Sequence, residues 1–330
     1  MNSRLQADDF SQLLEQVQNL SELKGLRVHV TGCNGFIPGG LMDFLHSLNT
    51  NCGYKLILSG TCRDPKIAKQ KRGDSVRVFT PEEAIPASDI VFHGASPANP
   101  ANFHKVEDLI ETNIVMTQNI IKTSIPQSRL VFFSTGEGYG RGHTQPIAEN
   151  DYHPHDPENP LSSYALSKLM GENLCVHASK SGRWMKVARI FHTYGPGLRL
   201  HDGRIQNDLI GDAIQNKPLV LKSDGSAIRS MAYITDTLAG ILTLAVHPST
   251  DTVFNVGNSD AVVSILEFAK TLGGIAGLEV QQDATKDSFN RVAGSYSVPN
   301  THRLSQLGWS PQVSLKDGLT RTLRSFNVTT

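Results

Sequence analysis

Tyr164 and Lys168 stand four residues apart in Ser163-Tyr164-Ala165-Leu166-Ser167-Lys168, a spacing that puts both side chains on one face of a helix. A phenol with the ordinary pKa of about 10 is a poor base at neutral pH, and an adjacent ammonium favours its phenolate. The two are therefore read as a proton-transfer pair, with the lysine also placed to hydrogen-bond a cofactor ribose. YxxxK is common by chance, and its weight here comes from what stands upstream. Ser134 and Thr135 close an apolar run, Leu130-Val131-Phe132-Phe133, where a hydroxyl can hold the reacting oxygen of a substrate. Glu137 follows two residues later and offers a second proton carrier; its other reading is a loop or helix-cap carboxylate.

Far upstream, Leu26-Arg27-Val28-His29-Val30 runs into Thr31-Gly32-Cys33-Asn34-Gly35-Phe36-Ile37, and Leu41, Met42, Phe44, Leu45 and Leu48 then return at helical spacing. Strand, glycine turn and helix in that order aim backbone N–H groups at a pyrophosphate. Gly32 and Gly35 supply the turn and the close approach, so the segment is expected to bind a dinucleotide. Pro38 occupies the place of the usual third small residue; proline is tolerated in a first helical turn, where its missing N–H costs little. The second apolar run ends in Ser59-Gly60-Thr61-Cys62-Arg63-Asp64. An acidic residue there receives the hydroxyls of the adenosine ribose, whereas an arginine can pair a 2′-phosphate. Arg63 leans the cofactor toward NADP; its other reading is an exposed loop arginine, and Asp64 is read as drawn off by Arg63 or as the cap of the next helix.

The elements that position these residues follow from the hydrophobic pattern. Further apolar runs occur at Val76–Phe79, Ile90–His93, Leu130–Phe133 and Val187–Ile190, with a helical pattern through Leu109, Ile110, Ile114, Met116 and Ile120 and another from about Ser162 to Ser179. Short apolar strands alternating with helices predict an α/β fold, a Rossmann-type doubly wound parallel sheet covered on both faces. Residues 143–160, with four prolines, must be a loop. Phe10, Leu13, Leu14, Val17 and Leu20 predict an amphipathic helix over 10–24 packed on the main body. The expected domains are a helical extension at 1–24, a dinucleotide-binding domain at 25–195 plus about 232–262, and a smaller discontinuous α/β substrate lobe at about 196–231 plus 263–330. The strand near 253–256 is expected to rejoin the main sheet.

Composition narrows the partners. The 330 residues carry 31 basic and 31 acidic side chains. Zero net charge gives no reason to expect nucleic acid or an anionic membrane, and no apolar run approaches the roughly 20 residues of a membrane span. Cys33, Cys52, Cys62 and Cys175 show neither metal-ligand spacing nor CxxC; with a polar, acidic start they predict reduced thiols in the cytoplasm. His153, His155 and Asp156 lie in the proline-rich loop and are read as solvated, so no metal is expected. Trp184 and Trp309 are read as packing residues.

Taken together, the TGCNGFIP turn, the DIVFHGAS run at 89–96, Asn113, STGEGYG, YALSK and ARIFHTYGPG at 188–197 resemble the extended short-chain dehydrogenase/reductases, the NAD-dependent epimerase/dehydratase family of nucleotide-sugar enzymes. The resemblance runs from about Gly25 to the C-terminus, and the stretch from Asp202-Gly203-Arg204 to Arg229-Ser230 looks most like the UDP-glucuronate decarboxylase branch. It implies that Gly32, Asn34, Gly35, Phe36, Ile37, Arg63, Ala95, Ser134, Tyr164 and Lys168 meet NAD or NADP, that Ser96, His192, Arg204 and Arg229 meet a nucleotide-sugar substrate, and that the protein is a homodimer. It further implies that the sugar C4 hydroxyl is oxidised with Tyr164 taking the proton, that Thr135 orients the C4 oxygen, that Glu137 serves the second chemical step, and that the two arginines hold the diphosphate. Decarboxylation is the first expectation. Epimerisation, dehydration and NADP-dependent reduction of a keto-sugar stand beside it, as does a non-catalytic NAD(P)-binding regulator. Three features depart from the pattern: Gly136 stands where the 4,6-dehydratases have an aspartate, Leu161-Ser162-Ser163 lacks the decarboxylases' arginine, and His192 replaces an asparagine.

Overall fold

The computed structural model describes residues 5–283 and 295–328; the parts of the expected N-terminal extension and second lobe at 1–4, 284–294 and 329–330 lie outside them. Apolar runs become strands and the amphipathic stretches between them become helices, in the order α1 (Ala7–Gln16), β1 (Arg27–Thr31), α2 (Phe36–Cys52), β2 (Ile57–Thr61), α3 (Pro65–Arg72), β3 (Arg77–Phe79), β4 (Ile90–His93), α4 (Val106–Ile110), α5 (Met116–Thr123), β5 (Arg129–Thr135), α6 (Ser163–Lys180) and β6 (Met185–Ile190). There follow β7 (Thr193–Tyr194), α7 (Ile205–Ile214), β8 (Leu219–Leu221), β9 (Ile228–Ser230), β10 (Ala232–Tyr233), α8 (Ile234–Val246), β11 (Val253–Val256), β12 (Val262–Ser264), α9 (Ile265–Ala276), β13 (Val280–Gln282), β14 (Tyr296–Ser297), α10 (His302–Ser305) and α11 (Leu315–Ser325).

Among the described residues the main sheet has seven strands in the order β11-β6-β5-β4-β1-β2-β3, and every pair in it is parallel. Val28 pairs with Leu58 on one side and Ile90 on the other. β11 joins the sheet's edge through Val253–Val187, as the strand expected near 253–256. The order reverses between β1 and β4, the crevice where such sheets take up ligands outside the carboxyl ends of their strands. Burial on both faces explains the near-continuous apolar strands. Two histidines interrupt them, and each is satisfied within the sheet: His29 bridges Ser59 and Thr61, both at 2.9 Å, and His93 bridges Thr31 at 2.7 Å and Thr117 at 2.9 Å. Burial pushes His29 down to about 4 and His93 to about 3, so both stay neutral near neutral pH.

The helix expected over 10–24 is shorter. It ends at Gln16, and Asn19 adopts a left-handed φ of 59° before a 3-10 turn at Leu20–Leu23. The apolar stripe nevertheless continues, with Leu13, Val17, Leu20 and Leu23 all buried. The helix expected through 109–120 holds a π-helical turn, Glu111–Val115, between α4 and α5. The turn carries Asn113, whose carbonyl lies so near Gly171 of α6 that a Cβ there would sit 2.6 Å away.

Beyond the main sheet, β7 pairs with β10, β8 with β13, and β9 lies between β12 and β14. α8 is buried along its whole length. Its Asp236 side chain accepts from Gln16 Nε2 and from the Gln312 and Val313 backbone, joining α1 to the C-terminal segment. Trp309 is buried and donates to the Asp236 carbonyl at 3.0 Å. Among the described residues no helix is long and apolar enough to cross a membrane.

Candidate active site

Because the strands of the main sheet are parallel, their carboxyl ends share one edge, and that edge collects the candidate residues. The Gly32 turn follows β1, Arg63 follows β2, Ala95 and Ser96 follow β4, Thr135 and Glu137 follow β5, and His192 follows β6.

At the turn, Gly32 has φ +71°, a left-handed conformation that side chains disfavour. A Cβ on it would lie 2.9 Å from Ala95 Cα. The Gly32 and Cys33 N–H groups donate to the Thr61 carbonyl at 2.7 and 3.2 Å, so β2 ties the turn down. Gly35 caps α2, and Phe36 and Ile37 open it. Pro38 fits in the first turn, buried beside Gly94. A backbone cradle that a single Cβ would fill, at the start of a 17-residue helix, suits a pyrophosphate. Asn34 donates through Nδ2 to the Asp64 carbonyl at 2.9 Å, which joins the turn to the end of β2. Asp64 caps α3 through Lys66 N at 3.0 Å. Arg63 is exposed.

Tyr164 and Lys168 share a face of α6 and both are buried, at 8% and 2% exposure. Phe103 stacks flat on the Tyr164 ring, with centroids 4.3 Å apart. Burial raises the Tyr164 pKa; Arg204, Thr135 and Ser96 pull it down and Glu137 opposes them. Lys168 Nζ donates to the Phe133 carbonyl at 2.8 Å and lies over the Phe132 ring. Burial brings the lysine down to about 7, with Glu172 acting to raise it. Arg204 thus adds a second cation to the surroundings of Tyr164, beside the lysine one helical turn away. Catalytic hydrogen bonds often close only around bound ligands.

Thr135 Oγ1 accepts from the Glu137 N–H at 3.2 Å, which fixes the short 3-10 turn that presents Glu137 to solvent. Arg204 sits at the start of α7 and donates to Asp202 and to the Ala98 carbonyl. Arg229, in β9, donates to the Ser295 carbonyl at 2.9 Å and to its hydroxyl at 2.8 Å. Burial, with Arg229 and Arg204 nearby, pushes His192 down to about 3. It is therefore neutral near neutral pH and meets Ser297 Oγ at 3.2 Å. Ser96, Thr135, Glu137, Tyr164, His192, Arg204 and Arg229 thus lie near enough to one another to act on each other's charge.

Ser134 faces elsewhere. Its hydroxyl donates to Glu172, which is buried and paired with Arg189 of β6 at 2.6 Å. Arg189 also reaches the Glu149 carbonyl and the Tyr152 hydroxyl. Among the described residues no group of His, Cys, Asp or Glu is arranged to hold a metal. His153 and His155 instead meet the carbonyls of Arg141 and Gly138, at 2.6 and 3.1 Å.

The model of the NAD dependent epimerase/dehydratase family matches residues 28–257. The chain belongs to that family. It is 27% identical to UDP-glucuronic acid decarboxylase 1 of Xenopus tropicalis, over 96% of this chain and 76% of the relative. Its fold is similar to that of UDP-glucuronic acid 4-epimerase from Bacillus cereus, solved with UDP-glucuronic acid and NAD, at a TM-score of 0.73 and 24% identity over 91% and 99% of the two chains. RMD from Pseudomonas aeruginosa, solved with NADPH, gives 0.68 and 22% over 91% and 99%. In this epimerase/dehydratase-family chain, sequence reasoning missed Glu172, Arg189 and Phe103. Glu172 had one available signal: it lies four residues past Lys168, on the face shared by Tyr164 and Lys168.

Proposed function

We propose that this chain oxidises the C4 hydroxyl of a nucleotide sugar and that the resulting 4-keto sugar loses the C5 carboxylate as CO₂, the reaction class of UDP-glucuronate decarboxylation. The observation that carries the reading is the convergence of Ser96, Thr135, Glu137 and Tyr164 with Arg204 and Arg229 at the carboxyl edge of the sheet. The similarity to UDP-glucuronic acid decarboxylase 1 and to UDP-glucuronic acid 4-epimerase supports the substrate class. Residues of about 196–231 and 263–330 form the substrate lobe in this reading. A bound nicotinamide dinucleotide would take the hydride from C4 and return it.

Tyr164, as phenolate, accepts the C4 hydroxyl proton, and Thr135 holds the same oxygen. Once C4 is a ketone, the carboxylate on C5 is that of a β-keto acid. Its C–C bond electrons move into the carbonyl, and the phenol of Tyr164 and the hydroxyl of Thr135 stabilise the oxyanion. Glu137 delivers the proton to C5. Arg204 and Arg229 hold the diphosphate, and His192 orients the sugar as a neutral hydrogen-bonding group. Epimerisation is the second reading, favoured by the missing arginine in Leu161-Ser162-Ser163.

For the cofactor, Arg63 is exposed while Asp64 is engaged in capping α3, which favours a 2′-phosphate and hence NADP over NAD. Arg63→Ala should weaken NADP binding and spare NAD; unchanged NADP binding would make Arg63 only a surface residue, and equal loss of both would remove it from 2′-phosphate recognition. Val106, Ile110, Leu166 and Met170 on α4 and α6 are exposed at 38–45%, and we assign this apolar face to a homodimer, to be tested by light scattering of wild type and Met170→Glu. The reading also places the protein in the cytoplasm, in keeping with four cysteines free of disulfides.

The deciding experiment supplies UDP-, dTDP-, GDP- and CDP-sugars, including UDP-glucuronate, and follows products by mass and NMR. Loss of about 44 mass units signals decarboxylation and about 18 dehydration, the masses of the CO₂ or water that a 4-keto intermediate releases. An isomer of unchanged mass signals epimerisation. No turnover of any sugar would leave a dinucleotide-binding regulator.

A further inference from the structure

We propose that Arg72, braced by Asp43, is a positioning residue for dinucleotide binding, and that it sets the direction of the peptide groups in the Gly32–Gly35 turn. The inference rests on the reading of that turn as the pyrophosphate site.

Arg72 is the last residue of α3, yet only 2% of it is exposed. Its guanidinium runs beneath the strand–turn–helix unit. Nε donates to Asp43 Oδ1 at 2.8 Å and Nη2 lies 2.5 Å from the same oxygen. Nη2 also donates to the carbonyls of Gly39 at 3.2 Å and Cys33 at 3.4 Å. The first carbonyl lies in the opening turns of α2 and the second in the glycine turn itself. Three acceptors from two neighbouring backbone segments and one helix side chain therefore meet one planar cation.

The C=O and N–H of a trans peptide point in opposite directions. Drawing the Cys33 carbonyl down onto Arg72 turns the Asn34 N–H to the other side of the turn. A rotation of that peptide would exchange a donor for an acceptor, and an acceptor facing a phosphate repels it. The Thr61 carbonyl holds the turn through the Gly32 and Cys33 N–H groups, and Arg72 holds the Cys33 carbonyl from the other side. Lysine could pair with Asp43, but it has no planar fork to span a carboxylate and two carbonyls at once. A buried ion pair adds little net stability over an apolar pair of the same shape; what it supplies here is a fixed backbone direction.

The test is a titration of NAD and NADP into wild type, Arg72→Lys and the double variant Arg72→Met/Asp43→Asn, read calorimetrically, with unfolding of each protein followed in the absence of cofactor. The double variant removes both charges and leaves no orphan carboxylate. Its affinity should fall at least tenfold for NAD and NADP alike, since the pyrophosphate is common to both. Arg72→Lys should keep its charge pair and much of its stability, yet show an intermediate loss of affinity. Wild-type affinity in a folded double variant overturns the inference, and if the double variant does not fold, wild-type affinity in Arg72→Lys does so. Wild type that binds neither cofactor overturns instead the reading of the turn as a dinucleotide site.

Discussion

Replacing Lys168 by methionine tests the buried ammonium through stability as well as rate. Lys168 is 2% exposed and has its pKa lowered from 10.5 to about 7 by burial. Between those two values the unfolded chain binds the proton that the folded chain releases, so wild-type stability rises with pH across this window. Each pKa unit is about 1.4 kcal/mol. Integrated from about pH 7 to about pH 9, the single group contributes roughly 2 kcal/mol of rising stability. Methionine keeps the apolar stem over Phe132 and removes the titration. Urea unfolding of both proteins at the two pH values gives the difference directly, because all other groups titrate in both. The variant should lack the 2 kcal/mol rise, and its turnover should drop by a factor of about 10² or more, as for loss of a group serving proton transfer. A variant that retains the wild-type pH dependence of stability would refute the buried, pKa-lowered ammonium.

Other perturbations follow from the same geometry. Tyr164→Phe keeps the stack on Phe103 and should cut turnover by about 10²–10⁴ while cofactor affinity holds; single-turnover kinetics beside a binding titration would separate the two, and unimpaired turnover would remove Tyr164 from the proton path. Gly32→Ala forces a side chain to φ +71° and against Ala95 at 2.9 Å; a backbone cost of about 1–2 kcal/mol plus the overlap should lower the melting temperature and weaken cofactor binding together, and an unchanged affinity would mean that the turn makes no close approach. Glu172→Gln leaves Arg189 buried without a carboxylate, at a cost of about 3–5 kcal/mol. Adding Arg189→Met should recover much of that in urea unfolding, and failure to recover any would show that the pair is not what the mutation disrupts.

The parallel sheet was legible because a strand buried on both faces must be apolar almost throughout, and runs such as Ile90–Phe92 leave little else to be. The site was legible where chemistry attaches to strand ends, as at Thr135, or to one helix face, as at Tyr164 and Lys168. Less visible were features that composition does not encode. The π-helical turn at Glu111–Val115 changes only which carbonyl each N–H finds. α1 ends at Gln16, where Val17 turns extended, although the apolar stripe runs on through Leu20 and Leu23. Charged residues are ordinarily read as surface, which hides Arg72, Glu172 and Arg189. Their ion-pair partners lie 29 residues away for Arg72 and 17 for Glu172 with Arg189, and only the fold brings them together. Ser134 stands at a strand end as a cofactor contact would, but the buried Glu172 beneath it takes its hydroxyl.

Arg204 begins α7, yet it reaches across the cleft to the Ala98 carbonyl after the main sheet's central strand while also holding Asp202. A guanidinium carries five N–H donors, so these two partners leave donors over, and the side chain stays 34% exposed. A ligand oxygen adds to the clasp without breaking it, and a charged one gains most. The fork is held in place before any ligand arrives, so the rotamer freedom of a long side chain is given up in folding and not again in binding.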